Sequence, residues 1–137
     1  MDTNVLVSGL LTSFHPPARM VDQIVAQSIN VAFDDRIIAE YEEVLARPKF
    51  QFEPSQAKAI VDHIRLNGVL VSAAPLGVKD LPDLSDLPFG EVAVAAHADA
   101  LVTGDKGHFD YLEAFGVPVL SPAEFMELLD NLAAGDP

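Results

Sequence analysis

Four acidic residues, far apart along the chain, could together hold a divalent metal ion. They are Asp2 near the start, Glu40 in a helical stretch, Asp86 ahead of a second helix, and Asp105 in a Thr-Gly-Asp turn. Carboxylates about 4 Å apart repel one another by roughly 1 kcal/mol in water and about 4 kcal/mol near a protein surface, so such a group must take up protons or cations. Magnesium or manganese suits this oxygen-rich site, and a metal-bound water suits phosphodiester hydrolysis. The four residues therefore predict a metal-dependent nuclease.

Each acid also has a purely structural explanation. Asp2 precedes an apolar run and can be a cap or a loop residue, and Thr3 or Asn4 could equally cap a short helix there. Asp86 can cap the helix that follows it, and Asp105 can simply form a turn. Glu40 falls on the flank of an apolar helix face, where a solvated side chain is the ordinary outcome. Both explanations stay open for all four acids.

Position favours the functional explanation for the later acids. Asp86 and Asp105 are expected near the carboxyl ends of parallel strands, which is where sites collect in open α/β sheets. Asp83 is a second candidate cap or ligand in the same segment, and Glu91 competes with them one turn into the helix. The third ligand is therefore less defined than the others.

Other reaction classes have little support in the sequence. The chain has no cysteine, its four histidines have no zinc-site spacing, Ser8 lacks a nucleophile-elbow sequence, and no glycine-rich phosphate loop is present. The histidines are interpreted as surface residues or as residues that contact the metal ligands without binding the metal.

Composition indicates one globular domain of high acidity. The chain has 137 residues, 50% of them hydrophobic, and a formal net charge of -13. General attraction to RNA is therefore absent, although a metal and a local cluster of Arg47, Lys49 and Lys106 could hold phosphates. The same acidity would favour a basic partner or simply maintain solubility. We expect a cytoplasmic protein, because no signal sequence or apolar run of about 20 residues is found.

Alternating apolar runs and amphipathic stretches predict an α/β fold around a parallel sheet, with one domain over residues 1–132 and a tail over 133–137. The predicted helices are Ala18–Gln27, Asp35–Ala46, Ser55–Asn67, Pro88–Ala98 and Pro122–Leu132. The predicted strands are Asn30–Phe33, Val69–Ser72, Ala100–Thr103 and Val117–Leu120. A long irregular connection, from Ala73 to Leu87, joins the second strand to the fourth helix.

Local signals mark several helix ends. Pro54 is suited to open the third helix, and Gly68 follows its end, where a left-handed backbone is favoured. Ser121 and Glu124 form a capping box around Pro122 at the start of the last helix.

In order along the chain, four segments resemble the PIN-domain family. These are the Asp-Thr-Asn-Val-Leu-Val-Ser opening, Glu40–Leu45, Asp83–Phe89 and Leu101–Asp105. The similarity is greatest to PIN proteins that are toxins of toxin-antitoxin systems, where Ala46–Phe50 and Ser121–Phe125 also have counterparts.

The resemblance implies a three-layer α/β/α fold with a central parallel sheet and a metal-dependent ribonuclease activity. It implies Mg²⁺ or Mn²⁺ as cofactor, RNA as substrate, a cognate antitoxin whose basic side chain covers the acidic pocket, and a homodimer. The implied metal ligands and catalytic acids are Asp2, Glu40, Asp86 and Asp105. The implied auxiliary residues are Asn4, Asp83 and Thr103.

One departure concerns the first strand, which in the family ends at the opening Asp. Here only Met1 precedes Asp2, so that strand is truncated. We expect either a start upstream of Met1 or a sheet without its central member, which would leave two strands with open backbone edges.

Two alternative functions remain open. A catalytically weak PIN-like module would bind a protein partner through its acidic surface without cleaving RNA. A phosphatase or receiver domain is less well supported, because Asn4 stands where the phosphatase needs an acid and Lys106 directly follows Asp105.

Overall fold

The computed structural model describes residues 1–12, 15–79, 81 and 83–135. In these ranges the helices are α1 (Thr3–Leu11), α2 (Pro16–Val25), α3 (Asp35–Leu45), α4 (Pro54–Asn67), α5 (Leu87–Ala95) and α6 (Pro122–Gly135). The strands are β1 (Ala32–Phe33), β2 (Val69–Leu70), β3 (Leu101–Val102) and β4 (Val119–Leu120). Three 3₁₀ helices cover Pro48–Phe50, Leu84–Asp86 and Lys106–Phe115.

Parallel pairing of short strands confirms the predicted α/β class. Strand β1 pairs with β2, and β3 pairs with β4, both in parallel. Every predicted strand contains an observed one, but each observed strand has only two residues. In the described ranges the two pairs are separate sheets, so the predicted central sheet is divided.

The core explains which face each helix buries. Its main cluster joins α1, α3, α4 and α5 through side chains such as Leu6, Tyr41, Ile64 and Phe89. A smaller cluster of Val5, Met20, Val102 and Met126 joins α1, α2, β3 and α6. Helix α1 contributes to both clusters, which places the start of the chain at the centre of the fold.

Helix α1 was not among the predicted helices. Its apolar residues Val5, Leu6 and Val7 are consecutive and all buried, and only two polar residues, Asn4 and Ser8, mark the exposed side, so the sequence shows a weak helical period. Asp2 occupies the N-cap position, but its side chain makes no cap hydrogen bond. The capping explanation for Asp2 is therefore not supported by the geometry.

The predicted helix starts at α4 and α6 are confirmed. Pro54 is the first residue of α4. At α6, the Ser121 amide donates to Glu124 Oε1 over 2.8 Å, and the Glu124 amide donates to Ser121 Oγ over 3.1 Å, which completes the capping box. Helix α6 continues to Gly135, three residues beyond its predicted end.

Gly68 has a different role from the predicted one. Its φ of -81° and ψ of -169° are extended, so the left-handed conformation is absent at this residue. A Cβ at Gly68 would overlap the carbonyl oxygens of Val31 and Ile64. The glycine is required because the chain passes very close to two backbone segments as α4 turns into β2.

The long connection is irregular over most of its length, as predicted. Residues 71–79, 81 and 83 have no regular structure, and the 3₁₀ helix Leu84–Asp86 then leads directly into α5. Asp80 and Pro82 lie outside the described residues. No helix in the described part of the chain is both long and apolar enough to span a bilayer.

Candidate active site

Asp2 is held where the first helix meets strand β3. Its amide donates to the Val102 carbonyl oxygen over 3.0 Å, and its Oδ2 accepts a 2.8 Å hydrogen bond from Thr103 Oγ1. Asp2 is 6% exposed and Thr103 is fully buried. A buried carboxylate that is oriented by a hydroxyl is held in one position, as a metal ligand needs to be.

Thr103 also connects Asp2 to the Asp105 turn. The same hydroxyl oxygen accepts a hydrogen bond from the Asp105 amide over 3.0 Å. The Asp105 side chain is exposed at the carboxyl end of β3. Thr103 therefore positions two of the four predicted acids, one through its side chain and the other through its backbone.

Glu40 reaches the same region from α3. Its Oε2 accepts a hydrogen bond from the hydroxyl of Thr3, which is itself buried. The sequence suggested Thr3 only as a possible helix cap. The signal that could have found this role is a threonine directly beside the candidate ligand Asp2, just before the apolar run Val5–Val7.

Tyr41 shows that Asp2 and Glu40 lie close together. Its hydroxyl donates to the Met1 carbonyl oxygen over 2.5 Å. Burial raises the pKa of Tyr41, and the negative charges of Asp2 and Glu40 raise it further. No local signal in the sequence indicates this polar contact of Tyr41, whose ring otherwise packs in the core.

Asp86 is the second buried acid of the site. It is 9% exposed and lies at the N-cap position of α5, yet it makes no cap hydrogen bond. Burial raises the pKa of Asp86, a hydrogen bond from His108 opposes this, and the charges of Asp2 and Asp83 add to it. Asp86 Oδ2 lies 3.0 Å from His108 Nδ1.

The position of His108 agrees with the prediction that the histidines stand at the surface or behind the ligands. It is partly buried and touches a predicted ligand through Nδ1. A cationic or donor ring beside Asp86 would favour the ionised carboxylate.

The remaining candidates are less closely engaged. Asp83 is exposed, and its Oδ1 accepts hydrogen bonds from the Ser85 amide over 2.9 Å and from Ser85 Oγ over 2.7 Å. These bonds lower the pKa of Asp83. Asn4 is exposed on α1. Asp83 therefore caps the 3₁₀ helix, and its charge still acts on Asp86.

Glu91 does not belong to the acidic group, although the sequence suggested it as a competitor. It is buried on α5 and forms an ion pair with Arg36 Nη1 at 2.7 Å. Arg36 also pairs with Asp34 at 2.7 Å, and these contacts raise the pKa of Arg36, with Glu91 as the larger cause.

Carboxylate oxygens are donor atoms that suit a hard cation, but the carboxylates of this site do not surround a single point. In the described ranges, no three acidic or histidine side chains meet in a metal-binding arrangement. Asp2 and Asp86 are nevertheless close enough for the charge of Asp2 to disfavour ionisation of Asp86. A divalent cation would reverse that effect, so the carboxylates present fit Mg²⁺ or Mn²⁺ by charge and by oxygen chemistry.

Comparison with known protein families gives one result that spans most of the site. The PIN-domain family model matches residues 1–107, which include all seven predicted site residues. Comparison with curated proteins and with solved structures finds no match. Because the family match covers well over half of the chain, the chain belongs to the PIN-domain family, whose members are generally metal-dependent nucleases.

Proposed function

We propose that the protein is a Mg²⁺- or Mn²⁺-dependent endoribonuclease. The observation that carries this proposal is the approach of two buried acids, Asp2 from the start of α1 and Asp86 from the start of α5. Ionised acids in such a pair repel each other, so the arrangement persists most favourably when a cation is shared between them.

Asp2 and Asp86 would hold the ion, with Glu40 and Asp105 as further ligands. When bound, a divalent ion lowers the pKa of water and neutralises charge on the phosphodiester. Thr103 fixes the Asp2 carboxylate, Thr3 fixes the Glu40 carboxylate, and both hydroxyls are buried. These two residues restrict the rotamers of the acids, which reduces the entropy lost on ligand binding.

We assign auxiliary roles to the three remaining residues. Thr103 is a positioning residue, since it acts through Asp2 and the Asp105 amide. Asp83 contributes negative charge beside Asp86. Asn4, exposed on the first turns of α1, is available to contact the substrate.

Binding of RNA would depend on the metal more than on basic side chains. Of the predicted phosphate-binding cluster, Arg47 pairs with Glu43 at 2.9 Å and Lys106 pairs with Glu124 at 2.8 Å. Lys49 lies over the Phe50 ring, 5.0 Å from its centroid. Exposed ion pairs are worth little, so Arg47 could exchange its carboxylate for a phosphate.

The biological setting is also a proposal. The resemblance to toxin components supports a cytoplasmic toxin with a cognate antitoxin and a homodimeric assembly. The acidic group at Asp2 and Asp86 supports an antitoxin that inserts a basic side chain there, since such a side chain would replace the cation.

Cleavage of labelled single-stranded RNA tests the proposal. The protein and its Asp2→Asn and Asp86→Asn variants are incubated with Mg²⁺, Mn²⁺ or EDTA. A matched Asp22→Asn control removes an exposed acid on α2 that is not among the proposed ligands. We expect metal-dependent cleavage by the unchanged protein and the control, and losses of at least about 100-fold in the two site variants.

A second readout separates metal binding from catalysis. Mn²⁺ should raise the melting temperature of the unchanged protein and of Asp22→Asn, but not of either site variant. If RNA of varied sequence stays intact with both metals and Mn²⁺ leaves the melting temperature unchanged, the nuclease proposal fails. The open arrangement of the acids would then favour the catalytically weak binding module instead.

A further inference from the structure

The connection between α3 and α4 brings two aromatic rings and two cations together at the surface. The rings of Phe50 and Phe52 are stacked, with centroids 5.7 Å apart and an angle of 23° between their planes. Lys49 Nζ lies 5.0 Å from the centroid of the Phe50 ring, and the exposed Arg47 is the N-cap residue of the 3₁₀ helix that carries Lys49 and Phe50. Arg47, Lys49, Phe50 and Phe52 together form the aromatic-basic loop.

The two rings have a defined arrangement although neither is fully buried. Phe50 and Phe52 pack against the main core cluster and stay partly exposed. Between them, Gln51 has a left-handed backbone, with φ of 55° and ψ of 31°. Residues with a Cβ seldom adopt this conformation, and they keep it only where the surrounding structure imposes it. The loop therefore presents a stacked aromatic pair of fixed geometry at the surface.

Positive charge on this loop is available to an anion. Lys49 makes no ion pair with a described residue. Arg47 pairs with Glu43 at 2.9 Å, but the two side chains are 46% and 61% exposed, so the pair is weak and can be exchanged. The nearest acid on the other side of the rings, Glu53, accepts a hydrogen bond from a serine hydroxyl. A phosphate can therefore approach both cations in spite of the net charge of the chain.

The aromatic-basic loop lies a short distance from the acidic group. Glu40 and Arg47 are seven residues apart, which is close to two helical turns, so they lie on the same side of α3. At 1.5 Å per residue their backbones are about 10 Å apart along the axis. A stacked strand advances about 3.4 Å per nucleotide, so roughly three nucleotides cover that distance. A single strand bound at the acids can therefore reach the loop.

We propose that the aromatic-basic loop is a binding subsite for unpaired RNA beside the point of cleavage. One base stacks against the rings of Phe50 and Phe52, while Arg47 and Lys49 contact the adjoining phosphates. Every base has a π face, so this subsite selects unpaired RNA over duplex and is tolerant of sequence. The inference rests on the proposed function, because it requires RNA bound at the acidic group.

A thermodynamic cycle between protein and RNA tests the stacking. The protein variants are Phe50→Leu and Phe52→Leu, and Phe115→Leu removes an exposed ring outside the loop as the control. The RNA partners are a single-stranded oligonucleotide and a series in which one nucleotide at a time is abasic. Affinity is measured by fluorescence anisotropy in Ca²⁺, and the melting temperature of each variant checks that it is folded.

We expect each loop variant to bind the intact oligonucleotide at least about fivefold more weakly, with no such loss in the control. At one position, removal of the base should weaken binding to the unchanged protein by a similar factor and have little further effect on the loop variants. Duplex RNA should not distinguish the variants from the unchanged protein. Lys49→Gln, which changes an exposed side chain, should reduce the salt slope by about 0.7.

The outcomes separate this inference from the proposed nuclease activity. If base removal weakens the unchanged protein and the loop variants equally at every position, the rings do not stack on a base and the inference is overturned, whether or not RNA is cleaved. Coupling at one position without any cleavage would support the subsite and remove the nuclease. An unchanged protein that does not bind RNA would remove both.

Discussion

At the residue scale, the Thr103 hydroxyl is the contact that joins the two ends of the site. It donates to Asp2 and accepts from the Asp105 amide. Thr103→Val keeps the shape and removes both bonds in a fully buried place, so we expect a loss of about 1 to 3 kcal/mol in unfolding free energy. Urea unfolding measures it, with Thr12→Val as the control, because the exposed Thr12 hydroxyl bonds only to its own helix. Equal losses in the two variants would contradict the proposed role of Thr103.

Removing the hydroxyl group should have different effects on the unfolding free energy at the two tyrosines of the chain. The Tyr41 hydroxyl donates to the Met1 carbonyl, whereas the buried Tyr111 hydroxyl has no hydrogen-bond partner in the part of the chain that is described. Tyr41→Phe should therefore lower the unfolding free energy by about 1 kcal/mol, and Tyr111→Phe should leave it unchanged or raise it. Thermal unfolding of the two variants side by side checks this. A loss at Tyr111 equal to that at Tyr41 would refute the difference.

The sequence could identify candidate acids but not their supports. Asp2 and Asp86 were found because carboxylates in an ordered set of motifs suggest a metal. Thr3, Tyr41 and His108 were not assigned their contacts, because each bonds to a residue at least 22 positions away. Such contacts depend on the path of the chain, which local patterns do not determine.

At the element scale, the contacts of Glu124 at the start of α6 stabilise the fold to an extent that depends on pH. Hydrogen bonds from Lys106 and then from Ser121 lower the pKa of Glu124 from 4.5 to about 2. Because the pKa of Glu124 is lower in the folded than in the unfolded state, the ionised carboxylate stabilises the fold at pH values above 4.5. This stabilisation is lost as the pH falls from 4.5 toward about 2. We therefore expect Glu124→Gln to be less stable than the unchanged protein at neutral pH and equally stable at about pH 2.

Urea unfolding across this pH range measures the difference. Glu127→Gln, which neutralises another exposed acid of α6, is the matched control. The stability difference between the control and the unchanged protein should vary much less with pH. A Glu124→Gln difference that stays constant from neutral pH to about pH 2 would contradict the assigned ion pair.

The elements could be predicted where local chemistry determines them. Five helices and four strands follow from periodicity, and the capping box at Ser121 and Glu124 follows from side-chain chemistry. Helix α1 was missed because it is short and mostly apolar, so only Asn4 and Ser8 mark its exposed side and the amphipathic period is weak. Strand lengths were overestimated, because a strand extends only as far as its neighbours pair with it.

At the scale of the whole molecule, the parallel α/β class could be predicted from the alternation of apolar runs and amphipathic stretches, but the division of the sheet into two separate pairs could not. Nor could the sequence predict the apolar groove of about 710 Å³ that is lined by residues of both strand pairs. Its shape results from α5 and α6 packing around a gap, which is a property of the assembled fold.

Net charge gives the last prediction, which concerns how RNA binds. The formal charge is -13, and six of the eight Lys and Arg residues form ion pairs with acids of the described chain. Few cationic side chains are therefore available to displace counterions from RNA. For single strands, a plot of log affinity against log salt concentration has a slope of about -0.7 per neutralised phosphate. We expect RNA affinity to fall with monovalent salt with a slope shallower than about -2.

Divalent metal should matter much more than this slope. Affinity should be lost in EDTA and in Asp86→Asn, because without a cation the acids at Asp2 and Asp86 repel phosphate. Fluorescence anisotropy with labelled RNA, titrated with KCl in the presence of Ca²⁺ to limit cleavage, measures both effects, and Asp22→Asn serves again as the control. A steep salt slope that persists in EDTA would show that a basic surface binds the RNA, and that the acidic group does not mediate binding through a metal.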